Sequence, residues 1–364
     1  MSEVLRSLGD ICEFKYGKSL PASSRDGGEF DVYGSNGIVG THSETITSGP
    51  TIVIGRKGSI GELNYSQKSC WPIDTTYYVD TSCTSADLRW LNHALSSLRL
   101  TEMNKSAAIP GLNRNDAYEK KLKVPSLSEQ RRIASILDKA DALRSKRREA
   151  IAKLDQLLRS VFLEMFGDPA ANPKKMPEKA LSALTEISSG STPSRNEMEN
   201  FAGDIPWVKS TEVDWCSINE TSEHVSNTGI KSARLKTFPI NTVVVALYGQ
   251  GVTRGKCAIL NIAATMNQAC AGIKPSDKIK HEYIFQFLKM SYQRLRDQAR
   301  GGNQENLNVG ILGDFKIMLP PLDLQNKFCT IFREIEKMKK SEENGLKKID
   351  LLIKSTQFRF FSNH

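Results

Sequence analysis

Two long stretches of the chain carry apolar residues at steps of three and four. The first runs through Ile133, Leu137, Ala140, Ile151, Leu154, Leu158, Val161 and Met165, the second through Phe328, Phe332, Ile335, Leu346, Ile349, Ile353 and Phe360. That spacing places each set on one stripe of a helix. Both stripes turn polar at the middle, with Arg144 and Arg147 in one and Lys339 and Glu342 in the other, while Leu143 and Met338 fill in beside them. At a rise of 1.5 Å per residue such helices reach roughly 50–60 Å, too long to stand without a partner. A narrow stripe suits a two-helix seam, so the pattern predicts that the two pair with each other as an intramolecular coiled coil. The alternative is two unrelated amphipathic helices docked on separate domains.

The two helices belong to a larger repeat. Residues 112–166 align without a gap to 307–361 at a constant offset of 195, with identities that include Leu112/Leu307, Asn113/Asn308, Pro125/Pro320, Gln130/Gln325, Asp155/Asp350 and Phe166/Phe361. Each copy opens on a strand-like run, Lys121 to Val124 or Phe315 to Leu319, stopped by proline before the helix begins. Nearer the N-terminus, Leu5, Leu8, Asp10 and Ile11 match Leu181, Leu184, Glu186 and Ile187 at an offset of 176, so the second globular segment carries 19 more residues. The chain therefore reads as globule (1–123), helix (124–166), a linker with Pro169, Pro173 and Pro177 (167–179), globule (180–318) and helix (319–364). Short apolar runs punctuated by Gly and Pro make the globules mixed α+β.

Composition narrows the partners. Fifty Lys and Arg against forty-one Asp and Glu leave a net charge of +9, compatible with an anionic partner. There is no apolar run of membrane-spanning length, and Glu3, Arg6 and Asp10 interrupt the start of the chain, so neither a span nor a signal peptide is expected and the cytoplasm is the expected location. Seven scattered cysteines form no CxxC pair, which predicts reduced thiols and no metal site.

Both globules contain an apolar strand leading into a glycine-rich loop with a cation, Thr51 to Gly61 and Thr242 to Gly255. The second loop has GxGxxxG spacing rather than the GxGxxG of a dinucleotide site, and the first matches no phosphate loop, so both read as hairpin tips. Such tips can present Arg56, Lys57, Tyr248, Gln250, Thr253 and Arg254 at a surface. Lys15, Tyr16 and Lys18, Ser35 and Asn36, Ser191, Thr192, Ser194 and Arg195, and Asn303 and Gln304 lie in similar loops. Their hydroxyls, amides and cations suit base edges and phosphates, although turns are built from the same residues. The catalytic signatures searched for are missing: the sole Pro-Pro step, Pro320-Pro321, lacks the flanking residues of an amino-methyltransferase motif, and neither HExxH, GxSxG nor a helicase phosphate loop occurs. No catalytic residue is expected.

Val124-Pro-Ser-Leu-Ser-Glu-Gln-Arg-Arg-Ile133 and Leu319-Pro-Pro-Leu-Asp-Leu-Gln-Asn-Lys-Phe328, with Ser189-Gly-Ser-Thr-Pro-Ser194, Gly203-Asp-Ile-Pro-Trp207, Tyr33-Gly-Ser-Asn-Gly37 and Gly301-Gly-Asn-Gln304, resemble the specificity subunits of type I restriction-modification systems over essentially the whole chain. Leu324 departs from the pattern by standing where the first copy has Glu129. The resemblance implies two target-recognition domains, each reading one half of a split, asymmetric site in double-stranded DNA, and two long antiparallel helices that set the spacing. It implies that two copies of a modification subunit dock on those helices and that restriction subunits, which translocate DNA, join for cleavage. S-adenosylmethionine, Mg and ATP would then sit on the partners, with no cofactor in this chain. Two other readings stay open: a coiled-coil scaffold without a DNA role, and a self-contained methyltransferase or nuclease.

Overall fold

In a computed structural model of the chain, the two periodic stretches are continuous helices of 40 residues each, Leu127–Phe166 and Leu322–Phe361. The structure describes residues 4–103, 111–249, 251–299 and 306–361. The chain divides into two compact units, one of Met1–Glu149 with Glu342–His364 and the other of Ala150–Ser341. The first unit thus holds the opening of the first long helix and the end of the second; the second unit holds the remainder of both.

Side-chain contacts fix the helix direction within each unit. In the first, Arg147 Nη1 lies 2.7 Å from Glu342 Oε2 and Arg144 Nη1 lies 3.8 Å from Asp350 Oδ1. In the second, Lys339 Nζ lies 2.9 Å from Asp155 Oδ1, and further on the Phe162 ring lies 5.6 Å from that of Phe328. Numbers rise along one helix as they fall along the other, so the pairing is antiparallel. The polar middle of each stripe is therefore a ladder of matched charges. Under the 195-residue repeat, Asp155 corresponds to Asp350 and Arg144 to Lys339, so the two outer pairs are copies of one another. Arg147 meets its own counterpart, Glu342. Gly345 makes room for it, since a Cβ there would stand 2.4 Å from Arg147 Cζ.

Burial raises the Asp155 carboxyl, but Lys339 and Lys289 outweigh it and hold the group below the ordinary Asp range. A carboxyl that ionises more readily folded than unfolded contributes stability in full above the unfolded value near 3.8, and loses it as pH falls through the folded value. Asp155→Asn should therefore destabilise the second unit at pH 7, and its deficit against the unaltered chain should shrink below about pH 4; thermal denaturation across an acid pH series measures this.

The repeat extends to the globular folds. In the first unit a sheet runs in the order Lys15–Tyr16, Thr76–Asp80, Thr51–Gly55, Leu63–Ser66, beside a smaller sheet of Gly37–His42, Phe30–Gly34 and Trp71–Pro72. In the second, Ile187–Ser189, Cys270–Ile273, Val243–Ala246 and Cys257–Leu260 follow the same order, and His224–Val225, Ile205–Val208 and Thr265–Met266 form the smaller sheet. The central strands, Thr51–Gly55 and Val243–Ala246, are buried throughout, which explains their unbroken apolar runs. The extra length of the second unit enters largely within its smaller sheet. Only Ser35 and Asn36 separate the first pair of strands there, whereas 209–223 separate the second pair and add a fifth strand, Ser217–Ile218, parallel to Cys257–Leu260.

Each unit closes onto its long helix in the same way. Val4–Ser7 pairs antiparallel with Lys121–Val124, and Glu178–Ala180 with Lys316–Met318. A glutamine then locks the helix entry. The Gln130 side chain accepts from the Asp87 backbone N–H at 2.9 Å and donates to the Pro125 carbonyl at 2.9 Å. Gln325 does the same between Lys280 (2.9 Å) and the Pro320 carbonyl (2.8 Å). Asp87 and Lys280 are the N-cap residues of Leu88–Ser97 and His281–Met290, so each glutamine ties that shorter helix to the start of the long one. Asn113 and Asn308, identical in the two copies, each cap a short helix by accepting a backbone N–H.

Candidate nucleic-acid interface

In the first unit Arg56 and Lys57 sit in the loop joining the antiparallel strands Thr51–Gly55 and Leu63–Ser66, the hairpin expected from the sequence. The Ser35 turn lies against this loop: a Cβ on Gly55 would meet the Ser35 carbonyl at 3.1 Å, and one on Gly58, at φ +76°, would meet Ser35 Oγ at 3.4 Å. Asn36 is exposed on the same turn. Tyr16 joins the group, with the Arg56 guanidinium 5.3 Å from its ring centroid and its ring edge-on to Tyr77 at 5.0 Å. Burial, with Tyr16 beside it, pushes the Tyr77 phenol up to about 12, so it stays a donor, to the Leu112 carbonyl at 3.2 Å.

Lys15 and Lys18 go elsewhere. Neighbouring side chains on a strand point to opposite faces, and Lys15 Nζ donates to Ser82 at 2.9 Å, away from Tyr16. Lys18 places its ammonium 5.6 Å from the Trp71 ring, while Trp71 Nε1 donates to the Lys18 carbonyl at 2.9 Å.

The second unit uses the same backbone positions with different side chains. Gly190 stands where Gly17 does, and a Cβ on either would fall within 2.1 Å of a carbonyl oxygen in the neighbouring smaller sheet or the turn after it. Beyond Gly190, the Ser191 carbonyl accepts from Trp207 Nε1 at 3.2 Å, Thr192 hydrogen-bonds Gln268, and the Ser194 carbonyl accepts from Asn200. Arg195 lies 4.4 Å over Phe201 and 5.1 Å over Trp207, with Nη1 2.6 Å from Glu223. Lys209 and Arg195 both bond Glu223 and hold its carboxyl below the usual range, so Arg195 is already neutralised.

Tyr248 is exposed and Thr253 and Arg254 are half-buried, in the loop between Val243–Ala246 and Cys257–Leu260. That loop is held from behind. Arg296 donates to the Arg254 carbonyl at 2.8 Å and to the Gly251 carbonyl at 2.7 Å, and the Tyr292 hydroxyl donates to the Val252 carbonyl. Gln250, Asn303 and Gln304 lie outside the described residues.

The structure thus gathers Tyr16, Ser35 and Arg56 in one unit, and Tyr248, Thr253 and Arg254 in one loop of the other. It adds Arg114, Gln268, Tyr292 and Arg296, which motif reading missed. The one hint in the sequence was that Arg114 interrupts a matched segment, standing where the second copy has Val309. These groups supply cations, hydroxyls and amides, the inventory that binds phosphates and base edges. Among the described residues no helix is long and apolar enough to cross a membrane, and burial pushes the thiols of Cys12 and Cys329 up to about 12, which suppresses thiolate chemistry there.

A sequence model described as the type I restriction modification DNA specificity domain matches residues 3–153 and again 173–350. The specificity subunit of the type I restriction enzyme MjaIX from Methanocaldococcus jannaschii is 27% identical over 187 residues, covering 49% of this chain and 43% of that protein. The EcoR124I/EcoR124II specificity subunit of Escherichia coli is 22% identical over 256 residues, covering 67% of this chain and 62% of that protein. The chain therefore spans about half the length of these relatives. Among solved structures, the type I restriction-modification S subunit from M. genitalium superposes with a TM-score of 0.73 at 15% identity, covering 100% of this chain and 97% of that one. A chain from a structure of the assembly and conformational transition of the type I R-M system gives 0.53 at 17% identity, covering 97% and 96%. With two copies of the domain spanning most of its length, the chain belongs to the type I restriction modification DNA specificity family.

Proposed function

We propose that the chain is the non-catalytic DNA-reading subunit of a type I restriction-modification complex, with each unit reading one half of a bipartite, asymmetric site. The observation that carries this reading is a single topology built twice with different loop side chains: Tyr16 and Arg56 occupy one copy, and Ser189 and Leu247 stand at the same places in the other. Matching scaffolds with unlike tips suit the reading of two unlike sequences. A single small module reads few base pairs, and each mismatch costs only ~1–3 kcal/mol, so two linked readers multiply discrimination. The long helices serve as the spacer between half-sites. They also serve as the platform for two methyltransferase subunits, which carry S-adenosylmethionine, while restriction subunits carry Mg and ATP. Exposed apolar side chains recur on both helices at matching positions, Leu127 and Leu322, Leu143 and Met338, Leu157 and Leu352, as a docking platform requires.

Exchanging 1–110 for the corresponding segment of a homologue, in cells supplying the partner subunits, tests this. Sequencing of methylated adenines should show one half-site changed and the other retained. Both halves changing together, or methylation of DNA by the purified chain alone, would overturn it.

A further inference from the structure

In the first unit two guanidinium groups share one tyrosine. Arg56 Cζ lies 5.3 Å and Arg114 Cζ 5.4 Å from the Tyr16 ring centroid. The outer rings of the cluster complete the mounting, Tyr77 at 5.8 Å from Arg56 and Tyr118 at 5.8 Å from Arg114. Arg56 is anchored by Nη2 on the Asp74 carbonyl at 2.6 Å, and Arg114 by Nη1 on the Phe14 carbonyl at 3.4 Å. Among the described residues neither guanidinium has a carboxylate within ion-pair distance, unlike Arg195 with Glu223 or Arg147 with Glu342. The Arg56 Nε–H is buried without an acceptor. Cation–π attraction holds each guanidinium at the ring, but it leaves two like charges gathered there with no counter-charge and one donor unmade.

The fold does not require it. The second unit forms the same sheet with Ser189 in the place of Tyr16 and Leu247 in that of Arg56, as the shared pairing shows: the Leu112 N–H donates to the Arg56 carbonyl at 2.9 Å and the Leu307 N–H to the Leu247 carbonyl at 3.0 Å. Val309 replaces Arg114. The same scaffold thus forms in the second copy without any of the three side chains, and a ligand that compensates two cations would account for their presence in the first. A guanine edge is neutral and would leave most of the repulsion in place; a phosphodiester carries the opposite charge and two free oxygens.

We propose that Arg56 and Arg114 together hold a backbone phosphate of the DNA bound by the first unit, with Tyr16 as the positioning residue between them. This rests on the DNA-reading function proposed above and adds which residues fix the register of the first reader on the duplex.

The test uses the full-length chain assembled with its methyltransferase subunits and a fluorescent 40-base-pair duplex, with affinity measured as a function of salt. Each lost phosphate contact lowers the slope of log K against log salt by about 0.9. Arg114→Ala and Arg56→Ala should each flatten the slope, by up to that amount, and Arg114→Lys should restore most of it. Tyr16→Phe, which keeps the ring, should behave as the unaltered chain, and Tyr16→Ala should flatten the slope although no charge is removed. The methylated sequence should be the same in every variant. An Arg114→Ala slope equal to that of the unaltered chain overturns the proposal, and so does a changed base at one position of the first half-site, which would make these arginines base readers. If the unaltered assembly binds the duplex with no salt dependence, it is the DNA-reading function itself that fails.

Discussion

Phe162→Ala should remove about 3–5 kcal/mol from the second unit, a large share of what a domain has to spare. Phe162 is fully buried near the end of the first long helix, with ring centroids of Phe166, Phe328, Tyr283 and Phe287 at 5.0, 5.6, 5.7 and 6.4 Å. Truncation leaves a void among aromatic rings that cannot collapse into it, so the loss combines transfer and cavity contributions. Phe162 corresponds to Gln357 under the repeat, and in the first unit the end of the second helix is anchored instead by Phe361 against Trp90, at 6.1 Å. The deficit should therefore be confined to one unit. Urea denaturation followed with Trp207 and Trp215 as the remaining tryptophans, after replacing Trp71 and Trp90 by Phe, reads the second unit; the reverse replacement reads the first. An equal loss in both, or a loss under 1 kcal/mol, would contradict the packing.

The second large effect is expected at the helix entry. Gln325→Ala strands the Lys280 N–H and the Pro320 carbonyl where the side chain is 0% exposed, and Gln130→Ala does the same to Asp87 and Pro125 in a site 4% exposed. Two groups left without partners at about 1–3 kcal/mol each predict a loss of about 2–6 kcal/mol per variant. Glu129 forms a surface pair with Arg132 in the first copy, and Leu324 replaces it in the second. Glu129→Leu should therefore leave the melting temperature unchanged. Thermal denaturation of the three variants separates the halves of the Glu-Gln pair: the Gln is structural, the Glu is not.

That contrast indicates what could be read in advance. The gapless repeat made Gln130 and Gln325 visible as a matched pair, and helical periodicity gave the two long helices almost to their ends, because both are local properties of the chain. What Gln325 bonds to was not visible, since Lys280 lies 45 residues away. The Tyr16, Arg56 and Arg114 cluster was illegible for the same reason, being drawn from three separate segments by sheet pairing. Other matches were hidden by substitution in pairs. Arg89 bonds Asp138 at 3.2 Å in the first unit, and Glu282 bonds Arg333 in the second, where 333 is the repeat counterpart of 138. The signs are exchanged, so a search for identities passes over an interaction that has been kept. The hairpin tips were located correctly, but the pairing of Arg195 with Glu223 could not be foreseen from a serine-rich turn 28 residues away.

The contact between Arg147 and Glu342 has a consequence for how such a chain can arise and be rearranged. In an antiparallel pair of repeated helices one position faces its own copy, and here the two copies carry opposite charge. Two first helices set together would oppose Arg147 with Arg147, and two second helices Glu342 with Glu342, whereas the flanking rungs would remain satisfied in both, Arg144 facing Asp155 and Lys339 facing Asp350. Only the unlike combination neutralises the centre. The charge of one residue in each half thus favours the pairing of unlike helices over that of two like ones.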